Sequence, residues 1–402
     1  MKLGYLVPEW PSQTHAFFLR EIEALRDGGA QVEVISTRRP TAPCRHAFAA
    51  QAARQTHYLF PPHPAMAIAA LGAHPLAALR AGQYVASLHE SPVRRAKLFG
   101  LIACAADLLA FCRQKRLDHL HVHSCADAAH LAALCHRLGG PSYSLTLHGD
   151  LPVYGRDFQQ KMGHALFVAA VTRALQKQIV EQVGLDGGRV PVVWMGVDTQ
   201  VFSPAWRDAA NTGRMDVLTI ARLQRSKGHR FLLAALRRVV ERGLDVHYTI
   251  AGDGPDRREI VEEIRRLNLT GRVRLVGTVS VRGVVELLHA HDVFVLPSVG
   301  LGEAAPVAVM EAMACGLPVI CSIIGGTPDM IDDQVDGLLT PQQDDSALAA
   351  AIERLYLDAA LRRRLGQAAR QKAVDIFDIR QTSRKLLQEI TSHITNTPAH
   401  RR

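Results

Sequence analysis

The feature that most constrains this chain is an alternation of short apolar segments with longer helical ones, run through twice. Residues 3–7 read as a short buried strand. A Pro/Ser/Gln/Thr loop follows over 8–14, then an amphipathic helix near 15–27 ending at Gly28-Gly29, and 32–36 is the next strand. Ala/Leu-rich helical segments fill 64–88 and 94–115. Residues 119–123, 143–147, 166–172 and 190–193 read as further strands, with a helix over 126–138. A new strand at 216–220 restarts the pattern. Strands at 246–250, 273–276, 293–296 and 318–321 alternate with helices at 228–242, 256–268, 282–290 and 306–315, and helices near 346–353, 358–374 and 379–392 follow. This order predicts an α/β chain of two Rossmann-like domains with parallel sheets.

Length agrees with that division. A chain of 402 residues exceeds the roughly 250–300 residues at which one hydrophobic core stops growing. The segment from Trp194-Met195-Gly196-Val197-Asp198 through Pro204 to Asn211 is the natural boundary. The expected organisation is therefore a first domain over 1–193, a linker over 194–212, a second domain over 213–375, and a last helix with a disordered tail over 376–402 that returns to the first domain.

Charge is unevenly placed. Residues 1–190 carry 20 Lys/Arg against 13 Asp/Glu, a net of +7, and 191–402 carry 27 against 25, a net of +2. A basic half attracts phosphorylated substrates, acidic lipid headgroups or nucleic acid, or is simply a solvated surface. The scattered cations, without an interleaved aromatic run, argue against nucleic acid. Seven cysteines at irregular spacing, several inside apolar patterns, predict reduced thiols and a cytoplasmic location. No run of 18 apolar residues occurs, so no spanning helix is expected, while 64–88 and 98–112 are either core helices or segments that touch a membrane surface.

In open α/β sheets ligands lie beyond the carboxyl ends of strands, and the residues with the most chemistry fall there. Glu303-Ala304-Ala305-Pro306 precedes a helix carrying Glu311. The free first-turn amides favour an anion, and Glu311 stands about 7.5 Å of rise beyond Pro306, so the two carboxylates reach different parts of one elongated ligand or are merely solvated. Arg222 and Lys227 sit between a strand end and a helix start, where cations neutralise a diphosphate or cap a loop. Gly325-Gly326 and Gly252-Asp253-Gly254-Pro255 are turns, the former suited to close backbone approach by a phosphate. His148-Gly149-Asp150 closes a strand of the first half, placing a histidine at a ligand site or as a satisfied polar residue. Ser12, Gln13 and Thr14 cap a helix or line a cleft.

A metal is not expected. His119, His121 and His123 alternate on one strand face, but the outer pair spans about 13 Å, too far for one zinc with bonds of about 2 Å. No Asp-x-Asp occurs in the chain.

The order and spacing of Ala221-Arg-Leu, Ser226-Lys-Gly, Gly252-Asp-Gly-Pro, Glu303-x7-Glu311-Ala-Met-Ala-Cys-Gly-Leu-Pro and Gly325-Gly-x-Pro resemble glycosyltransferase family 4. Ser12-Gln-Thr, His119-Leu-His-Val-His and Leu147-His-Gly resemble its exopolysaccharide members of the colanic-acid type. That resemblance implies a GT-B fold, with the two sheets facing a central cleft, and transfer of a sugar from an NDP-sugar with retention of configuration. It implies no cofactor and no metal. The expected acceptor is a saccharide or polyprenyl-diphosphate-linked saccharide, and the +7 first half motivates peripheral contact with an anionic membrane. By position, Arg222 and Lys227 would bind the diphosphate, Glu303 and the amides of Ala304, Ala305 and Pro306 the donor sugar, Glu311 the ribose, and His148 the sugar from the first domain. Gly252 and Gly326 belong to the same donor set. Two departures stand out: Ala304 replaces the family's usual Gly after the first Glu, and Ala221 replaces the Gly before Arg-Leu. Rival readings are a non-hydrolysing sugar-nucleotide epimerase and a catalytically silent binding protein of the same fold.

Overall fold

The structure, a computed structural model, describes residues 1–402 except 13–15, 42–43, 45, 74, 206–212, 301–302 and 396–402. The chain forms two compact units, Met1–Trp194 with Thr382–Arg402, and Met195–Gln381. Each is built on a six-stranded, wholly parallel sheet.

The first sheet contains β1 (Lys2–Glu9), β2 (Gln31–Arg38), β3 (His57–Phe60), β4 (His119–Val122), β5 (Ser142–Leu147) and β6 (Val168–Ala170), in the order β3-β2-β1-β4-β5-β6. The second contains β7 (Arg214–Ile220), β8 (Asp245–Ala251), β9 (Val273–Gly277), β10 (Val293–Leu296), β11 (Val319–Ser322) and β12 (Leu338–Thr340), in the order β12-β11-β10-β7-β8-β9. Both follow the doubly wound order, in which the strand sequence reverses between the first and fourth strands and a ligand crevice opens there. In the first unit that point lies between β1 and β4, and in the second between β7 and β10.

Covering helices explain why the inner strands are continuous apolar runs rather than alternating ones. Leu3, Tyr5, Leu6 and Val7 of β1 are fully buried, as are Val293, Phe294 and Val295 of β10. The first core joins Tyr5, Trp10, Phe18 and Ile22 to Leu386 and Ile390 of the chain's last helix, Ile379–Thr395. The second gathers Val217, Leu236, Tyr248, Ile320 and Ile352.

Four details depart from the sequence reading. The strand expected at 190–193 is only an isolated bridge, Val192 to Ala170. The apolar stretch over 64–88 is two helices, Pro64–Gly72 and Pro75–Ala86, bent by 106° at the break. Pro75 has no N–H to continue the first helix and starts the second, where that loss costs nothing. Next, β3 and β12 are short edge strands with too few residues to show periodicity. Finally, the segment 195–205 is integral to the second unit rather than a tether. Met195, Val197 and Phe202 are buried, Val197 pairs with Asp378, and the Arg370 guanidinium donates to the carbonyls of Thr199, Phe202 and Ala314 at 3.0, 2.9 and 2.8 Å. The remainder of that linker, 206–212, lies outside the described residues.

Candidate functional site

In the second unit the reversal point carries a compact polar cluster. Lys227 leaves the 3-10 turn after β7, while Ser298 and Glu303 follow β10. Lys227 forms an ion pair with Glu303, and the Ser298 hydroxyl donates to the same carboxylate oxygen, Oε2, at 2.8 Å. Oε1 is clear of both contacts. The pair is only partly exposed, 20% for the lysine side chain and 12% for the glutamate, so it forms in a setting where Coulomb attraction exceeds that of a surface pair.

Four loops are locked around this cluster by backbone contacts. The Val299 amide donates to Ser226 O at 2.8 Å, the Leu223 amide to Asp253 O at 3.1 Å, and the Gly326 amide to Ala304 O at 2.9 Å. Two glycines allow the approach. Gly252, at φ +141, faces Ala221 O so closely that a Cβ would lie 1.9 Å from it. Gly325, at φ +52, faces Glu303 O with the same 1.9 Å. A side chain at either position would push the loop away, so these glycines set loop against loop. The Gly-Gly segment packs against the Glu303–Pro306 backbone, with the Gly326 amide engaged there.

Pro306 precedes the helix Val307–Ala314 as its N-cap residue, one position before the first turn, and no side chain caps that end. The first amides of an α-helix lack intrahelical acceptors and with the helix dipole form a ready anion site. Ala304, Ala305 and Pro306 are buried. Glu311 is nearly buried inside the same helix. Burial, with the Glu311 charge beside it, pushes the Cys315 thiol up to about 12. Arg222 is exposed at the end of β7, with no ion-pair partner among the described residues.

Two residues escaped the sequence reading. Ser298 carried only its place at a strand end as a signal. His229 carried none. It is buried, with Nε2 3.2 Å from Arg222 O and Nδ1 3.3 Å from the Tyr248 hydroxyl. Burial lowers its pKa, so it acts as a neutral tie holding the Arg222 loop to the sheet.

In the first unit the three alternating histidines face β5 and make a polar ladder. His119 bonds Ser142 and Ser144, and His121 bonds Ser144 and Thr146, all at 2.8 Å. His123 Nδ1 lies 3.0 Å from His148 Nε2, and its Nε2 lies 3.1 Å from Glu21. The Tyr5 hydroxyl donates to that carboxylate at 2.8 Å. Burial holds His119 and His123 down to about 3 and lowers His121 well below its ordinary value, while it raises Glu21. His119 and His121 share the Ser144 hydroxyl, so the rungs of the ladder are linked.

His148, half-buried at the end of β5, stands beside Phe17 and Phe18 with ring centroids 5.7 and 5.8 Å away. Its backbone amide donates to the Tyr154 hydroxyl at 2.8 Å. Ser12 is buried just after β1. Gln13 and Thr14 lie outside the described residues.

Comparison with known proteins places these features in context. Residues 205–372 match the family described as glycosyl transferases group 1, and residues 16–201 match glycosyltransferase family 4. A putative colanic acid biosynthesis glycosyltransferase, WcaL of Escherichia coli, is 29% identical over 89% of this chain and 92% of its own length. The amylovoran biosynthesis glycosyltransferase AmsK of Erwinia amylovora is 28% identical over 88% and 90%. Among solved structures, Anabaena Alr3699/HepE in complex with UDP superposes with a TM-score of 0.74 at 18% identity, covering 98% of this chain and all of that one.

Proposed function

Since the chain belongs to glycosyltransferase family 4 and has the GT-B fold, we propose that it transfers a sugar from a nucleoside-diphosphate donor, with retention of configuration and without a metal, to a saccharide or polyprenyl-diphosphate-linked saccharide in exopolysaccharide or cell-envelope glycan synthesis. The observation that carries this reading is the Lys227–Glu303–Ser298 cluster at the reversal point of the second sheet, beside an uncapped helix start.

Each residue then has a role. Lys227 and Arg222 neutralise the diphosphate and stabilise it as it departs. Glu303 accepts hydrogen bonds from donor-sugar hydroxyls and offsets positive charge developing at the anomeric carbon. Glu311 takes the ribose hydroxyls, and His148 a sugar contact from the first unit, both on the family resemblance. The bond between the anomeric carbon and the phosphate oxygen breaks with its electron pair going to phosphate. The acceptor oxygen bonds the same carbon from the same face, and its proton passes to the departing phosphate. With lysine and arginine carrying the diphosphate charge, a divalent ion is not needed. Alr3699/HepE has been solved with UDP and with UDP-glucose, and the WcaL and AmsK names concern exopolysaccharides, which directs the donor search first to uridine nucleotides.

The test is a panel of UDP-, GDP- and ADP-sugars in the presence of a chelator. Release of nucleotide from one donor supports the transferase. Sugar interconversion would point to an epimerase, and binding without turnover to a silent protein.

A cytoplasmic site of action at the membrane face is part of the same proposal. All seven cysteines are free thiols, and no single helix among the described residues is long and apolar enough to cross a membrane. Ile68, Leu76, Leu79 and Val93 are each at least 62% exposed on three helices of the basic first unit, Pro64–Gly72, Pro75–Ala86 and Pro92–Lys115, which pack on one another. Apolar side chains with nearby cations suit an anionic bilayer surface. The protein is expected to float with anionic vesicles at low salt and to be released at high salt, where charges are screened. Absence of flotation at low salt would remove the membrane from this account.

A further inference from the structure

At the β3 edge of its sheet the first unit contains a second cluster with no part in the reaction above. His57 opens the edge strand β3, His63 is the N-cap residue of the helix Pro64–Gly72, and Asp107 lies in the middle of the helix Pro92–Lys115. Asp107 is fully buried among Cys104, Ala105, Ala106, Leu108 and Leu109. A carboxylate so placed must be paired or ligated. Its Oδ1 lies 3.2 Å from His57 Nε2, and its Oδ2 lies 2.8 Å from both His63 Nδ1 and the His63 amide.

We propose that His57, His63 and Asp107 form a zinc-binding site. Two imidazoles and a carboxylate are a common ligand set for zinc, completed by water at a fourth position. The three ligand atoms lie within 4.8 Å of one another. In a tetrahedron with bonds of about 2.0–2.1 Å, ligand atoms stand about 3.3 Å apart; the two imidazoles meet different oxygens of Asp107, so a zinc there would take both oxygens, or one of them after a small rotation of the carboxylate. Supporting contacts are present on both sides. The His57 ring stacks on Phe111 with centroids 4.1 Å apart and planes 13° from parallel, and the His63 amide fixes the carboxylate oxygen that its own ring approaches. Such partners orient ligands and are part of a working site. The His63 side chain is 56% exposed, which provides the entry path and room for the water.

The site ties three elements of the first unit together, and zinc bound there stabilises the folded chain by mass action. The proposal does not depend on the transferase reading.

The experiment uses the full chain, stripped with a chelator and dialysed. Zinc uptake is read by competition with a chromophoric chelator, and cobalt(II) uptake by its visible absorption. The expected result is one zinc per chain, a zinc-dependent rise in Tm, and an affinity at least about tenfold lower in His63→Ala. Because His63→Ala also removes one partner of the buried Asp107, lost ligation is read as loss of the zinc-dependent rise in Tm above each protein's own metal-free value, not from the metal-free Tm itself. His57→Gln provides a second variant on the buried side. Absence of stoichiometric uptake, or equal zinc affinity in parent and His63→Ala, overturns the proposal.

Discussion

Replacing Glu303 by glutamine is expected to lower kcat by about 10²–10³-fold with a much smaller change in KM. Gln keeps the size of the side chain and one hydrogen-bond acceptor, so the Glu303–Pro306 loop, held by Gly325 and by the Gly326 amide, stays in place. The negative charge is lost. That charge faces Lys227 at rest and, in the reading above, the anomeric carbon as the diphosphate departs. An interaction that strengthens only as charge develops acts on kcat rather than on ground-state binding. Steady-state rates on the preferred donor read the split. A near-normal kcat would falsify the role assigned to Glu303, whatever the donor proves to be.

Acid should unfold the first unit early. His119 and His123 are held to about 3, His130 to about 4, and His121 also lies well below its ordinary value, all principally through burial. In the unfolded chain a histidine titrates near pH 6.5. Above that value neither state is protonated and these groups contribute nothing. Below it only the unfolded chain binds the protons, so stability falls as pH falls, by about 1.4 kcal/mol per pH unit for each histidine until the folded value is reached. Glu21 opposes this, because burial raises its pKa and the folded state takes up that proton first. One carboxyl does not offset four histidines. Thermal unfolding at about pH 7.5 and about pH 5 should show a fall in Tm of about eight degrees or more in the transition of the first unit, from a loss of roughly 4 kcal/mol or more at about two to four degrees per kcal/mol. His119→Gln removes one of the titrating groups and should flatten the slope, whatever it does to stability at neutral pH. A Tm unchanged between the two pH values would mean that the ladder admits protons.

The ladder also shows what was legible in the chain and what was not. Alternation at 119, 121 and 123 was plain, and strand geometry alone argued against one shared metal. Their partners, Ser142, Ser144 and Thr146, sit on the neighbouring strand, and pairing between strands about twenty residues apart is invisible to local pattern. The doubly wound order was readable because inner parallel strands are continuous apolar runs between amphipathic helices. The edge strands β3 and β12, with four and three residues, are too short for any period to show.

The donor cluster was half visible. Lys227 and Glu303 could be singled out by position after strands, but their direct pairing depends on β7 and β10 lying side by side, seventy-six residues apart in sequence. Ser298 joined the site only through that adjacency, and His229 through its contacts with Arg222 O and with Tyr248 of β8. Gly325 and Gly326 were legible as a turn, and a glycine pair at a strand end serves a phosphate or another loop equally well. The 1.9 Å between a Cβ at 325 and Glu303 O shows the close approach to the loop, which no local pattern could show. The cluster of His57, His63 and Asp107 gave no local signal, since its third member lies forty-four residues beyond the second and inside an otherwise apolar helix.

The most direct test of the central claim follows the anomeric proton by NMR. Nucleoside-diphosphate sugars are incubated with the protein and saccharide acceptors in excess chelator. The account predicts that one donor releases its nucleotide and that the transferred sugar keeps the anomeric configuration it had in the donor. Transfer with inverted configuration, or turnover that stops when divalent ions are removed, would contradict it.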